Sequence, residues 1–322
     1  MAGLTVIILI AAGGVWFWGY TILIQPGTLK TDTIVNIPKG SSIERISRIL
    51  AQKDLVLYPR FFELFARTIG AKYVLQAGEF SIPSGSSLIN ILTILQSGKT
   101  FSRRFTAAEG LNTSEILTRL IQTEGLTGTI TENAQEGDLL PETYYFSFGD
   151  SRNEIVRRMK NAMKDIFQNE WARRKGRGPI STGKEALILA SIVEKETSLS
   201  EERARIAGVF INRLKRGIRL QSDPTVIYGL TNGIGTLGRA LNRTDLSTPN
   251  PYNTYLNKGL PPGPITNPGR ASIEAVLNPA ETRDLYFVAD GRGGHVFAKT
   301  LSAHNENVAA WRKLRKGHSK MK

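Results

Sequence analysis

Apolar and polar positions are arranged in several ways along the chain, and each way predicts a different element. From Leu4 to Ile24 the sequence is mostly apolar (LTVIILIAAGGVWFWGYTILI), and residues 1–29 carry no charged side chain. As a helix this run would be about 32 Å long, the thickness of a bilayer core. Gly13, Gly14 and Gly19 weaken a helix in water but are tolerated in lipid. Trp16, Trp18 and Tyr20 fall toward its second half, where an interfacial belt would begin. A cleaved signal peptide, cut near Ala11-Ala12, competes with this reading. A signal normally has a basic front and a short apolar centre; this run has no basic front and continues past Ala12. The pattern predicts an uncleaved transmembrane anchor over 1–24, followed by a stalk over 25–33. Lys30, Lys39, Arg45 and Arg48 follow the span, which would favour a cytoplasmic body, but long domains translocate largely regardless of charge.

After the stalk a unit recurs. Ile34–Ile37 (IVNI) reads as a strand, Pro38-Lys39-Gly40-Ser41-Ser42 as a turn, and IERISRIL as a helix. GEFSI, Pro83-Ser84-Gly85-Ser86-Ser87 and LINILTIL repeat the order, and RRFTA, Ala108-Glu109-Gly110-Leu111-Asn112 and TSEILTRLI repeat it more loosely. Aligned on their glycines, the copies place Ile46 and Leu50, Ile91 and Leu95, and Ile116 and Leu120 on one helix face. Ser41 with Glu44, and Asn112 with Glu115, have capping-box spacing. Arg60–Ile69 reads as a further helix. The repeat resembles in pattern a small glycan-binding module of the LysM kind, over 34–100. Structural duplication without a ligand accounts for the same pattern.

Beyond the repeats, Gly137–Phe146 (GDLLPETYYF) reads as a turn entering an aromatic segment, Arg152–Arg174 as a basic, polar-faced helix, and Lys175–Gly183 as a Gly-rich linker. Lys184–Thr197 (KEALILASIVEKET) is apolar nearly all round, which predicts a buried helix. It ends in two carboxylates, Glu194 and Glu196, which at about 100° per residue point apart. Glu194 shares its face with the small residues Ala190 and Ser191, a face that would admit a substrate. Burial would raise its pKa, as a general acid requires. From this segment alone a solvated helix terminus, with Lys195 and Glu201 nearby, is the simpler reading.

Composition sets the outer bounds. The chain has 322 residues, enough for roughly two domains. Cysteine is absent, which excludes disulfides, thiolate metal sites and cysteine nucleophiles. The formal net charge is +14, which favours anionic partners: nucleic acid, acidic lipid or a cell-wall polymer. His295, His304 and His318 lack metal-ligand spacing. No P-loop, dinucleotide fingerprint or G-x-S-x-G elbow is present, and no nucleic-acid recognition motif. Arg312–Lys322 holds basic residues and no acidic one, the composition of a solvated tail.

The segments after the buried helix carry amide, tyrosine and proline side chains: Leu220–Gly229 (LQSDPTVIYG), Tyr252–Tyr255 (YNTY) and Gly259–Ile265 (GLPPGPI). Prolines stiffen such loops by leaving little chain entropy to lose. Tyrosine rings suit the apolar face of a sugar, and amides suit its hydroxyl and acetamido groups. A structural Pro-rich crossover reads equally. Leu285–Ala289 and His295–Ala298, joined through Gly291-Arg292-Gly293-Gly294, read as a hairpin.

Taken together, ASIVEKET (Ala190–Thr197), VFINRL (Val209–Leu214), LQSDPTVIYG, YNTY, GLPPGPI and LYFVADGRGGHVF (Leu285–Phe297) closely resemble the endolytic murein transglycosylases, the MltG or YceG-like family. LPETYYF (Leu140–Phe146) fits as well. The resemblance covers roughly Thr33 to Trp311. It implies an α+β protein with an N-terminal transmembrane helix, a small LysM-like α/β module and a larger mixed α+β catalytic domain over 101–318. It implies a lyase whose body faces the periplasm or outer wall zone and which cuts nascent glycan strands between N-acetylmuramic acid and N-acetylglucosamine. The motif match makes Glu194 the catalytic residue. Gln221, Tyr252 and Asn253, and then Glu196 and Glu142, are the expected substrate contacts. No cofactor or metal is implied. The implied partners are peptidoglycan strands, the cell membrane and cell-wall synthases, with no nucleic acid. Two other readings make different predictions. An anchored, non-catalytic wall-binding protein would yield no product, and a two-carboxylate hydrolase using Glu142 or Asp223 would yield reducing ends.

Overall fold

The computed structural model describes residues 2–70, 74–174 and 178–319. Its elements run α1 (Ala2–Ile24), β1 (Thr33–Ile37), α2 (Ile43–Gln52), α3 (Pro59–Gly70), β2 (Gly78–Ile82), α4 (Leu88–Ser97), β3 (Arg103–Thr106), α5 (Thr113–Gln122) and β4 (Thr143–Phe146). Then follow α6 (Arg152–Arg173), α7 (Gly183–Glu196), α8 (Ser200–Lys215), α9 (Asp223–Thr231), α10 (Arg243–Ser247), α11 (Arg270–Leu277), β5 (Tyr286–Ala289), β6 (His295–Ala298) and α12 (Leu301–Ser319). Helix predominates, and among the described residues the strands pair two by two, as β1–β2, β3–β4 and β5–β6. The result is a mixed α+β architecture. Packing divides the chain into two compact units: Met1–Arg104 with Tyr145–Asp150, and Phe105–Tyr144 with Ser151–Lys322.

In the first unit the strand–turn–helix repeat is a geometric fact. β1 pairs antiparallel with β2, Val35 opposite Phe80. Each strand leads into a turn with a glycine at positive φ, Gly40 at +75° and Gly85 at +67°, conformations only glycine adopts without strain. Each helix is then capped by the serine two residues on. Ser42 accepts from Arg45 N and Ser87 from Asn90 N, satisfying one of the orphan donors of the first turn. The expected Ser41 cap is displaced by one residue: Ser41 donates instead to Pro38 O at 2.7 Å. Ile46, Leu50, Phe62, Phe80, Ile82, Ile91 and Leu95 are all at most 2 % exposed and make the core of this unit. The third copy, β3–Gly110–α5, belongs from Phe105 onward to the second unit and carries the full Asn112/Glu115 capping box.

Of the expected anchor, the structure carries α1, an uncharged helix of 23 residues. The side chains of Leu4, Thr5, Ile8 and Val15 lie outside the described set. Counting only the described residues, no helix is long and apolar enough to cross a membrane. Ile7, Leu9, Ile10, Trp16, Phe17 and Trp18 are exposed on it.

The second unit is built round α7. Its N-terminus is fixed by a capping box between Thr182 and Glu185. Leu189, Ala190, Ile192 and Val193 have no exposed surface, because α8, α9 and α11 pack on several of its faces. Ser191 ties the proline-rich segment to this helix: its Oγ accepts from Ile265 N at 3.0 Å while donating to Ile188 O at 2.7 Å. Arg152, at the start of α6, donates to Leu120 O and Ile121 O, placing a cation at the negative end of α5. Part of the expected linker, residues 175–177, lies outside the described residues. The C-terminal segment read as a solvated tail is helical, part of α12 as far as Ser319, and its described side chains Arg312, Lys313 and Arg315 are exposed; 320–322 lie outside the described residues.

Candidate active site

α7 ends at Glu196, and the two residues that separate its carboxylates decide their surroundings. Two steps of about 100° place Glu194 and Glu196 on opposite sides of the helix. Glu194 turns inward. Its side chain is 2 % exposed, its Oε2 accepts from Gly269 N at the N-terminus of α11 at 3.0 Å, and its Oε1 lies 3.9 Å from Arg203 Nη2. Arg203 in turn pairs with Glu109 at 2.8 Å. Burial raises the pKa of Glu194. The nearby Ser272 hydroxyl, the Gly269 N–H and Arg203 pull it back, while Glu109 adds to the rise. Ser272 Oγ makes no hydrogen bond of normal length, so its pull is that of a nearby dipole.

Glu196 turns the other way and opens on a cleft of about 530 Å³. Arg213, Gln221, Asp223, Tyr255 and Tyr286 line the cleft beside it, and His304, Val308 and Trp311 of α12 make the facing wall. Ser222 Oγ donates to Glu196 Oε1 at 2.5 Å. The carboxyl pKa is pushed up to about 7, chiefly by burial. The Ser222 hydrogen bond lowers it, Asp223 raises it, and His295 and Arg213 lower it. A carboxyl held there is part protonated at neutral pH, the condition general acid–base catalysis needs.

Three chain segments far apart in sequence hold this geometry. Thr254, from the YNTY motif, accepts from Gln221 N through its carbonyl at 3.1 Å and from Ser222 N through its Oγ1 at 3.0 Å. Arg213 of α8 is 7 % exposed, and burial lowers its pKa. It donates to Leu285 O at 2.6 Å, to Arg219 O and Leu220 O at 3.1 and 2.8 Å, and to Gln221 Oε1 at 3.3 Å. It thereby joins the hairpin to the loop before α9. Gln221 sits at φ +52°, a conformation costly for a residue with a Cβ and one that clusters at functional sites. Tyr255 donates to Asp223 Oδ1 at 2.5 Å. Behind Glu196, His295 and Glu202 interact at 2.7 Å, and Thr197 donates to the same carboxylate.

The expected site residues therefore separate. Gln221 and Glu196 share the cleft. Tyr252 packs on Tyr228, with ring centroids 4.8 Å apart, and does not line this cleft. Asn253 is 1 % exposed, and its amide is consumed within its own loop. Nδ2 donates to Leu246 O and Thr248 O, and Oδ1 accepts from Tyr255 N, so in this structure the amide shapes its own loop. Glu142 is exposed just before β4 and lines none of this cleft. Sequence reasoning missed Arg213, Ser222, Tyr255, Tyr286 and the α12 wall. Arg213, Ser222, Tyr255 and Tyr286 lay inside motifs already singled out, but nothing in the sequence gave them a place in the site, and the α12 residues lay outside every motif. Among the described residues no group of His, Asp or Glu is arranged to hold a metal ion.

Comparison with known proteins places this arrangement. The YceG-like family matches residues 35–310. The endolytic murein transglycosylase of Bacillus subtilis is 33 % identical over 91 % of this chain and 89 % of its own length. That of Streptococcus pneumoniae (serotype 2, strain D39) is 29 % identical over 94 % of this chain and 63 % of its own length. A crystal structure of a yceG-like protein of Listeria monocytogenes superimposes with a TM-score of 0.54 at 31 % identity, covering 86 % of this chain and 99 % of that one. The match runs from β1 to α12 and takes in every residue that shapes the cleft except Trp311, so the chain belongs to the YceG-like family.

Proposed function

We propose that this protein is an endolytic murein transglycosylase, a lyase that cuts peptidoglycan glycan strands internally to leave 1,6-anhydro-muramic ends. The carrying observation is one half-buried carboxyl, Glu196, with a pKa near 7, facing a cleft of amide, tyrosine and tryptophan side chains. The relatives named for this activity align along nearly the whole chain.

In the proposed reaction, protonated Glu196 donates to the glycosidic oxygen between N-acetylmuramic acid and N-acetylglucosamine as the bond from C1 breaks. The oxocarbenium-like charge is met by the substrate's own acetamido oxygen. Glu196, now a carboxylate, takes the proton of the muramic 6-hydroxyl as O6 closes on C1. The acid ends protonated again and no water is consumed. One carboxyl suffices, whereas most glycosidases need two. Gln221 and Tyr255 are positioned to bond the sugar, and Ser222 orients the acid. Glu194 was the expected acid. Its burial against α11 and Arg203 favours a positioning role, and the cleft favours Glu196.

The test is digestion of uncrosslinked glycan by the protein, with mass spectrometry of the strand ends. Anhydro ends support the lyase. Reducing ends would instead support a hydrolase with Asp223, the second carboxylate in the cleft, as partner. Binding without product would leave a wall-binding protein. Loss of product in Glu196→Gln with product retained in Glu194→Gln supports the assignment; the reverse result would exchange the two roles.

The finer placement is proposed with it. α1 attaches the protein to the cell membrane, with the body on the extracytoplasmic side where peptidoglycan lies. Supporting this, Leu4–Ile24 is apolar, and large apolar side chains stand exposed along it, a patch that in water would drive association. The β1–α4 repeat serves as a LysM-like wall-binding module.

A further inference from the structure

A second cleft, of about 380 Å³, lies on the other side of the last turn of α7. Lys195 lines it, whereas Glu196, the next residue, lines the first. The same division recurs at the start of α9, where Asp223 lines the first cleft and Pro224 the second. Consecutive residues facing different clefts in two elements mean that the clefts adjoin along a ridge, made by the end of α7 and the start of α9.

The second cleft has a floor and a lip. Ile227 and Tyr228 of α9 form an apolar floor, and the loop from Gly233 to Arg239 forms the lip. Gly233, at φ +69°, lies so near Tyr228 that a Cβ would come within 2.7 Å of the ring. The loop therefore closes on the ring, which Tyr252 supports from one side and Glu136 holds by its hydroxyl at 3.4 Å. Arg239 is neutralised by Asp245, and Glu115, also in the cleft, is committed to its capping box. Lys195 bonds a carbonyl, Gly110 O, at 3.1 Å, so its charge stays available. The Tyr228 ring beside the Lys195 ammonium matches the ring face and the lactyl or peptide carboxylates of a glycan strand.

We infer that the glycan strand crosses this ridge, lying in the Glu196 cleft on one side of the scissile bond and in the Tyr228 cleft on the other. The inference rests on the proposed activity and deepens it: a cut inside a strand requires saccharides held on both sides of the acid. A site with one cleft would bind only an end.

The test compares long uncrosslinked strands with a tetrasaccharide as substrates of the full-length protein. Thr236→Trp places a bulky ring in the exposed lip, and Lys195→Glu reverses the cleft's charge. For both variants the ratio of kcat/KM on long strands to that on the tetrasaccharide is expected to fall about tenfold, chiefly through KM. The products should shift toward cuts near strand ends. An unchanged ratio and product pattern in both variants, with melting temperatures like the wild type, would overturn the inference while leaving the activity in place. A wild-type protein that cleaves neither substrate would overturn the activity itself, and the inference with it.

Discussion

At the scale of single residues, the site depends on where two carboxylates of one helix turn face. Glu196 has a raised pKa, so the folded protein holds its proton more tightly than the unfolded chain does. Stability from this group is present below about pH 4.5 and is lost as pH rises through about 7. Glu196→Gln should therefore melt higher than the wild type above pH 7, by on the order of 1–2 kcal/mol after solvent screening, while losing anhydro-product formation. Thermal melts at pH 5 and pH 8 check the sign; a variant less stable at pH 8 would contradict it. Ser222 donates to the charged form, so Ser222→Ala should raise the Glu196 pKa further. The alkaline limb of the kcat profile, where the acid loses its proton, should move to higher pH in that variant. None of this was legible in EKET as a string. The spacing established that the carboxylates diverge, but the side offering the small residues Ala190 and Ser191 proved to be the packed side.

At the scale of elements, periodicity carried most of the reading. The helices over α2, α4, α5 and α7 follow from apolar spacing and caps, and the β5–β6 hairpin from its glycine turn, because these are local signals. Arg213 shows where local signals stop. In the sequence it is one arginine in VFINRL; in the fold it joins α8, the loop before α9 and the first residues of the hairpin through four hydrogen bonds. Removing it leaves several buried carbonyls without a donor. Arg213→Ala is expected to cost about 3 kcal/mol of stability, and Arg213→Lys, which keeps the charge but loses the planar fork, to recover part of that. Urea denaturation of the three proteins measures both. At the start of α7, Thr182→Ala should cost about 1 kcal/mol by removing one half of the capping box.

At the scale of the whole molecule, the two units and the terminal helix can be separated by experiment. Deleting residues 2–24 should release the protein from membrane fractions and leave cleavage of soluble strands within about twofold of the full chain, since the cleft draws only on residues from Glu196 onward. Flotation with liposomes and the mass-spectrometric assay read these two effects independently. What the sequence by itself determined is what short-range physics encodes: the uncharged apolar run, the repeated strand–turn–helix units with their glycines and caps, the buried helix and the motifs that mark the family. What only tertiary structure decided is which groups meet. Glu196 acquires its pKa from burial beside Ser222, Asp223 and Arg213, and the cleft acquires its far wall from α12, more than a hundred residues away in the chain. Desolvation and hydrogen-bond geometry are properties of a folded neighbourhood, and no spacing rule within one segment contains them.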